Sequence, residues 1–281
     1  MEYDLQIDGI PFRAREEVRL DWLRPYGRVF QVMDQQSSGN LCFGVDGPYG
    51  RLFIKYAGAR TLNYAGRVED AVNTLRDAMP LYAHTHPALT RLLAHGQTPR
   101  GYAAVFAWRD ALPLRATPPD DAVRARVRAL QLSRSLKMLD MAFDLHVQLA
   151  ADGYVAVDFA DDNLLIDFDR DEIVVCDIDL YRRKPAFNDR GRMPGASRMM
   201  APEEFIQGQR LTECTTVYNM GALAFEFFGD NNDRRPAAWQ GPAALYPVAK
   251  KATMEQPFQR FPTLKAFQEA WREAVGHSWL R

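Results

Sequence analysis

Hydrophobic positions in the first third of the chain fall in short runs separated by turn residues. Val29-Phe30-Gln31-Val32-Met33, Leu41-Cys42-Phe43-Gly44-Val45 and Leu52-Phe53-Ile54-Lys55-Tyr56 are split by Ser37-Ser38-Gly39-Asn40 and Asp46-Gly47-Pro48-Tyr49-Gly50. Short apolar runs bounded by such turn chemistry predict three antiparallel strands. A helix is expected over residues 66–78, with Pro80 forcing a break or a new first turn, and a further strand pair around 89–93 and 102–108. Residues 1–27 stand ahead of these strands and carry an amphipathic stretch at 12–23. Beyond Pro118-Pro119 the period lengthens. Leu132, Leu136, Leu139, Phe143 and Val147 recur at three-to-four spacing, which predicts a long helix with Gly153 as its stop. Leu164-Leu165-Ile166 and Ile173-Val174-Val175-Cys176 then read as a hairpin with a charged tip. Residues 202–271 read as helical, with loops at 229–232 and 257–262. A small β-rich part is therefore expected to precede a larger helical one, with no internal repeat.

Composition narrows the class. With 281 residues, of which 47% are apolar, the chain can bury a substantial core, in the regime where roughly three quarters of the unfolded surface disappears on folding. Thirty-five basic against thirty-six acidic side chains leave no net field to gather nucleic acid or an anionic membrane, so any phosphate recognition must be local. No apolar run approaches the roughly 18 to 20 residues of a membrane helix, and the start has no signal-peptide pattern. A cytoplasmic protein without nucleic-acid or membrane partners is expected. Cys42, Cys176 and Cys214 are too scattered for a disulfide frame or a zinc site and read as buried thiols. His84 and His86, beside Pro87, read as loop residues rather than metal ligands.

Three positions invite a chemical reading. Lys55 closes an otherwise apolar strand, and taken alone an edge lysine in water is the plainer interpretation. Asp158 with Asn163 five residues later is an ordinary spacing. Asp177 ends a buried-looking strand, where an uncompensated carboxylate is costly, so it wants a cation. Order and spacing together add more. The chain resembles the protein-kinase superfamily, most closely bacterial Ser/Thr protein kinases, from about Arg28 to Trp271. Phe53-Ile54-Lys55 is similar to the Val-Ala-Ile-Lys strand and Asp158-Phe159-Ala160-Asp161-Asp162-Asn163 to the catalytic loop. Cys176-Asp177-Ile178-Asp179 stands where Asp-Phe-Gly belongs. Met200-Ala201-Pro202-Glu203-Glu204 resembles the Ala-Pro-Glu element. Thr216-Val217-Tyr218-Asn219-Met220-Gly221 resembles the helix start that follows it, and Arg260-Phe261-Pro262-Thr263 the arginine element that pairs with Ala-Pro-Glu.

The resemblance implies an α+β, bilobal protein-kinase-like fold: a small antiparallel β-sheet N-lobe at 28–107, a larger mostly helical C-lobe at 108–275, an extension at 1–27, and an ATP cleft between the lobes. It implies ATP and Mg²⁺, with Lys55 on the α and β phosphates, Asp158 orienting the acceptor hydroxyl, and Asn163 and Asp177 on the metal. Ala107-Trp108-Arg109 would offer backbone groups to adenine behind Phe106, and Gly39 would belong to the phosphate loop. Asp77 is preferred to Glu69 as the acidic partner of Lys55, and Glu203 with Arg260 would form a structural ion pair.

Departures from the pattern point elsewhere. The phosphate loop 35–40 has one glycine where three are usual, so ATP is expected to bind weakly. Ala156-Val157 replaces His-Arg, so control by a phosphorylated activation segment is not expected. Ala160, Asp179 and Thr216 replace a lysine, a glycine and a bracing aspartate. The acceptor is expected to be a Ser/Thr hydroxyl on a protein; a small hydroxylated molecule of antibiotic or sugar type is the alternative, and an inactive relative acting as a binding module is the next. The basic runs 182–184 and 190–192 read as solvated loops before they read as a dock for an acidic substrate.

Overall fold

The computed structural model describes residues 2–115 and 121–279, so the Pro118-Pro119 punctuation lies outside the described residues. The fold is mixed α+β, sheet-rich first and helical afterwards, and it divides into two compact units: Met1–Thr85 with Thr90–Asp110, and His86–Leu89 with Ala111–Arg281. Among the described residues no helix is long and apolar enough to cross a membrane.

The first unit opens with a hairpin, β1 (Tyr3–Ile7) and β2 (Ile10–Ala14). After a 3-10 turn, Asp21–Tyr26, come β3 (Arg28–Met33), β4 (Asn40–Gly47) and β5 (Gly50–Ala57). Helix α1 (Val68–Asp77) and the single turn α2 (Met79–Tyr82), which carries Pro80 in its first turn, lead to β6 (Leu92–Thr98) and β7 (Gly101–Ala107). The strands form one antiparallel sheet in the order β3-β4-β5-β7-β6. Alternation along β5 sorts its side chains. Leu52, Ile54 and Tyr56 join Phe43, Val45 and Val105 in a core that also takes Phe12, Leu20 and Leu23. Lys55 points to the opposite face, in register with Cys42 and Ala104.

Two sequence expectations are corrected here. Residues 12–23 are not one amphipathic element: Phe12 belongs to β2 and Leu23 to the 3-10 turn, and both reach the sheet core from different backbones. The strand expected at 89–93 begins three residues later and runs to Thr98. Its Ala-His-Gly-Gln stretch is an edge strand with both faces largely open, so it carries no apolar alternation to read.

The second unit holds β8 (Leu112–Pro113), α3 (Ala122–Arg128), α4 (Leu132–Ala151) and β9 (Tyr154–Val155), then the hairpin β10 (Leu164–Asp167) and β11 (Glu172–Val175). Two-residue strands β12 (Arg182–Arg183), β13 (Ala186–Phe187) and β14 (Arg210–Leu211) precede α5 (Glu213–Phe228), α6 (Tyr246–Ala252) and α7 (Leu264–Trp279). Gly153 ends α4 with a positive φ of 87°, the expected stop. Helix α5 is buried almost throughout, and Phe143 of α4 packs edge-on against Phe267 and Trp271 of α7. His86 is not a solvated loop residue. Its Nδ1 accepts the Ala88 N–H and its Nε2 lies 3.2 Å from Asp144 Oδ2 on α4.

Candidate functional site

The second unit builds its candidate site from the short strand β9. Just past it, the Ala156 N–H donates to Thr216 Oγ1 on α5 at 3.0 Å. Both residues are buried, so this bond fixes the chain two residues ahead of Asp158. Asp158 has φ of 63°, a left-handed conformation that costs a non-glycine residue energy and persists where the surroundings over-determine it. The buried Phe159 and Ala160 supply that constraint, and a 3-10 turn over Asp161–Asn163 follows.

Asn163 connects the two halves. Its Nδ2 donates to the Asp158 carbonyl at 2.9 Å, and its own carbonyl accepts the Cys176 N–H at 3.0 Å. The loop carrying Asp158 is thereby joined to the residue before Asp177. Asp177 Oδ1 accepts the Asp179 N–H at 3.4 Å, which holds its carboxylate against the following turn. Asp158, Asn163 and Asp177 therefore belong to one neighbourhood of the second unit.

That neighbourhood is rich in negative charge. The Asp162 carboxyl is raised by desolvation and then by the Asp161 and Asp177 carboxylates, with Arg198 acting against them. Its side chain still reaches water, so the two carboxylates are the cause that weighs most. Burial, then Asp158 and Asp177, raise the Tyr181 hydroxyl well above its ordinary range. Tyr181 stays neutral and donates to His146 Nε2 at 2.8 Å, because His146 Nδ1 must donate to the Ala142 carbonyl at 2.7 Å. Burial pushes the His146 imidazole down to about 4, and its ring stands edge-on to Phe159 at 5.2 Å.

Among the described residues no three His, Cys, Asp or Glu side chains gather into a metal cage. An amide oxygen and a carboxylate are still hard donors suited to Mg²⁺, which keeps several waters and takes the rest of its shell from substrate phosphates. With Nδ2 of Asn163 committed to Asp158, its Oδ1 is the atom left for a cation. The Asp158 carboxylate, half-buried, is suited to accept a proton from a hydroxyl.

Charged side chains tie the segment after Asp177 to this loop. Arg198 pairs with Asp161 and lies 3.9 Å from Glu226 on α5. Arg124 of α3 meets the same Glu226 oxygen at 2.5 Å. Arg234 donates to the Arg198 carbonyl and to Asn231 Oδ1, and Asn231 donates to Glu226. Asn219 Nδ2 donates to the Met199 carbonyl at 2.8 Å. Gly195 passes so close that a Cβ there would lie 3.5 Å from the Asp158 Cα. Farther along, Arg260 grips Glu203 through two bonds of 2.7 and 2.9 Å, both residues buried, and Thr215 Oγ1 adds a third at 2.8 Å. The ion pair expected between these residues forms.

Sequence reading missed Asp161, Arg198 and Glu226. A signal existed: Glu226 interrupts the run Ala222-Leu223-Ala224-Phe225 before Phe227-Phe228, and a carboxylate there needs a cation. The basic runs are mostly spent inside the segment. Arg182 donates to the Phe187 carbonyl and Asp189, Lys184 to the Ala150 carbonyl, and Arg192 to the Met193 and Gly195 carbonyls and Ser197.

The remaining candidates lie in the first unit. Lys55 is 3% exposed, so it is no edge lysine in water. Helix α1 packs over β5 and β7. Asp77 is largely exposed at the C-terminal end of α1, with Arg76 Nε 3.5 Å away, and Glu69 is exposed in its first turn. Gly39 has φ of +83°, and a Cβ on it would stand 2.7 Å from the Tyr64 ring; only glycine fits. The Ala107 and Trp108 amides are already bonded to the Arg91 and Arg51 carbonyls at 2.9 and 3.2 Å. The N–H groups of those two residues are therefore spent inside the first unit. The Trp108 indole donates to Asp110 and stands edge-on to Phe30. Arg109 follows in the same stretch and is half-buried. No model of a known protein family matches the chain, and no curated protein matches it.

Proposed function

We propose that the protein is an ATP-dependent phosphotransferase of the protein-kinase type, acting on a Ser/Thr hydroxyl of a protein. The observation that carries this reading is the pair of bonds through Asn163. They link a strained, half-buried Asp158 to the strand end that bears Asp177. A proton acceptor and two oxygen ligands for a divalent ion are what phosphoryl transfer asks of a protein besides phosphate binding. In this reading Asp158 takes the acceptor hydroxyl proton as its oxygen attacks the γ-phosphorus, the bond to the β-phosphate oxygen breaks, and ADP leaves. Mg²⁺, when held by Asn163 and Asp177, neutralises charge on the phosphates. Lys55 pairs the α and β phosphates, and the Ala107–Arg109 stretch offers backbone groups to adenine.

The segment supports a protein acceptor. Its buried Glu203–Arg260 pair and its bonds to α5 give residues 193–204 a fixed course beside Asp158, a ledge on which an extended peptide can be held. A small hydroxylated acceptor is the second reading, favoured by the Asp179 carboxylate adjoining Asp177.

Incubation with Mg²⁺ and [γ-³²P]ATP tests the reading. The protein or a generic protein substrate is expected to be labelled, and Asp158→Asn to lower the rate by about 10²- to 10⁴-fold while the thermal shift with Mg·ATP persists. Transfer to small hydroxyl compounds alone would establish the second reading. Absence of any Mg·ATP thermal shift at millimolar nucleotide would overturn both and leave a binding module.

A further inference from the structure

The N-terminal hairpin, the 3-10 turn Asp21–Tyr26 and the start of β3 border a half-open cavity of about 700 Å³, within the usual size of small-molecule sites. It lies wholly in the first unit and involves none of the residues assigned to phosphoryl transfer. Its apolar wall is formed by Phe12, Leu20, Leu23 and Val29, all buried, with Leu5, Ile7 and Val18 half-buried beside them.

The charged side chains on this wall differ in how far they are committed. The Asp8 carboxylate accepts the Val29 N–H at 2.7 Å, and its backbone sits at φ of 52°, so it is bound into the junction between hairpin and sheet. Asp21 pairs with Arg24 at 3.1 Å. Both acids are thus occupied. Arg19 and Arg28 also line the cavity, and neither makes an ion pair or side-chain hydrogen bond with the described residues. The charged groups left to meet a ligand are therefore two guanidinium groups, which donate and cannot accept.

We propose that this cavity binds an amphiphilic oxyanion, a molecule with a carboxylate or phosphate head and an apolar tail of medium length. The head is held by Arg19 and Arg28, since guanidinium forks match planar oxyanions, and the tail covers the Leu5, Ile7 and Val18 surface. The apolar wall and the uncommitted cations give the site two separate requirements, and a ligand must satisfy both.

Isothermal titration of the 281-residue chain measures this with decanoate and decyl phosphate, each below its micelle concentration, against decanol, acetate and inorganic phosphate. Decanoate or decyl phosphate is expected to bind at least tenfold more tightly than decanol and than either tail-less anion, and the comparison of the two heads identifies which oxyanion is preferred. The double substitution Arg19→Gln with Arg28→Gln is expected to weaken binding at least tenfold. Val18→Trp, placed in a segment without regular structure, is expected to project an indole across the tail surface and weaken binding, with a thermal melt checking that the core against which Val18 packs stays intact. Saturation of neither amphiphile at millimolar concentration would overturn the proposal. So would decanol binding as well as decanoate, or binding that survives both sets of substitutions. None of these readouts depends on nucleotide, so failure here and failure of the phosphotransferase reading remain distinct results.

Discussion

At Thr216 one hydroxyl holds the approach to Asp158. Valine has nearly the same shape but no acceptor, so Thr216→Val leaves the buried Ala156 N–H unpaired. The expected loss is about 1 to 3 kcal/mol in urea unfolding, whereas Thr216→Ser, which keeps the oxygen, loses less. The Glu203–Arg260 pair is a harsher case because both charges are out of water. Arg260→Met strands the Glu203 carboxylate and is expected to cost about 3 to 5 kcal/mol by the same measurement. These positions also show how far residue identity was legible. Glu203 and Arg260 could be paired from lettering alone because each stands in a recognisable element. Thr216 could be noticed as a departure, but the sequence does not say that its oxygen still reaches Ala156, since that depends on how β9 lies against α5. Lys55 illustrates the opposite error: its ordinary exposure preference favours solvent, yet its place in a central strand buries it.

Among the elements, the segment between Asp177 and Glu203 is held chiefly by charges that no single stretch of sequence contains. Asp161 and Glu226 are both 1% exposed, and Arg198 is the cation the two share. Glu226 keeps Arg124 if Arg198 is removed; Asp161, for which no second ion pair is seen among the described residues, is left buried and uncompensated. Arg198→Met is therefore expected to cost about 3 to 5 kcal/mol and to speed amide exchange across residues 158–163, while Arg198→Lys recovers part of both. Unchanged exchange in those residues would show that the segment does not set the loop. Central elements were the readable ones: α4 shows a helical apolar period, and β3, β4, β5 and the β10–β11 hairpin show apolar runs because most of their positions are wholly or partly buried. The N-terminal hairpin was not read and β6 was placed three residues early, the first because its strands are only five residues long and β1 has no fully buried position, the second because an open edge strand has no buried face to mark it.

For the whole molecule, two buried groups set opposite slopes on stability against pH. His146 is held neutral, with its value pushed from 6.5 down to about 4 by burial. The unfolded chain then binds the extra proton, so the contribution is complete above about 6.5 and is lost as pH falls toward 4. Its size is on the order of 3 kcal/mol, from 1.36 kcal/mol per unit. Glu204 moves the other way. Burial first, with Glu203 adding to it, raises its carboxyl from 4.5 to about 8, against the hydrogen bonds from Ala201 and Asn219. A protonated Glu204 favours the folded chain fully below 4.5, and that contribution is lost as pH rises through 8. Between pH 4.5 and 6.5 the two slopes oppose and largely cancel, so each variant unmasks the other group. His146→Gln is expected to turn that plateau into a fall running from pH 4.5 to 8, and Glu204→Gln, which keeps an oxygen for the Ala201 N–H, into a rise running from pH 4 to 6.5 with the fall above 6.5 removed. Thermal melts of the three proteins at half-unit steps separate the two limbs, because each variant removes one titration and not the other. If Glu204→Gln retained the full downward slope, the alkaline loss would belong to another group, and the carboxyl at 204 would be ionised in the fold.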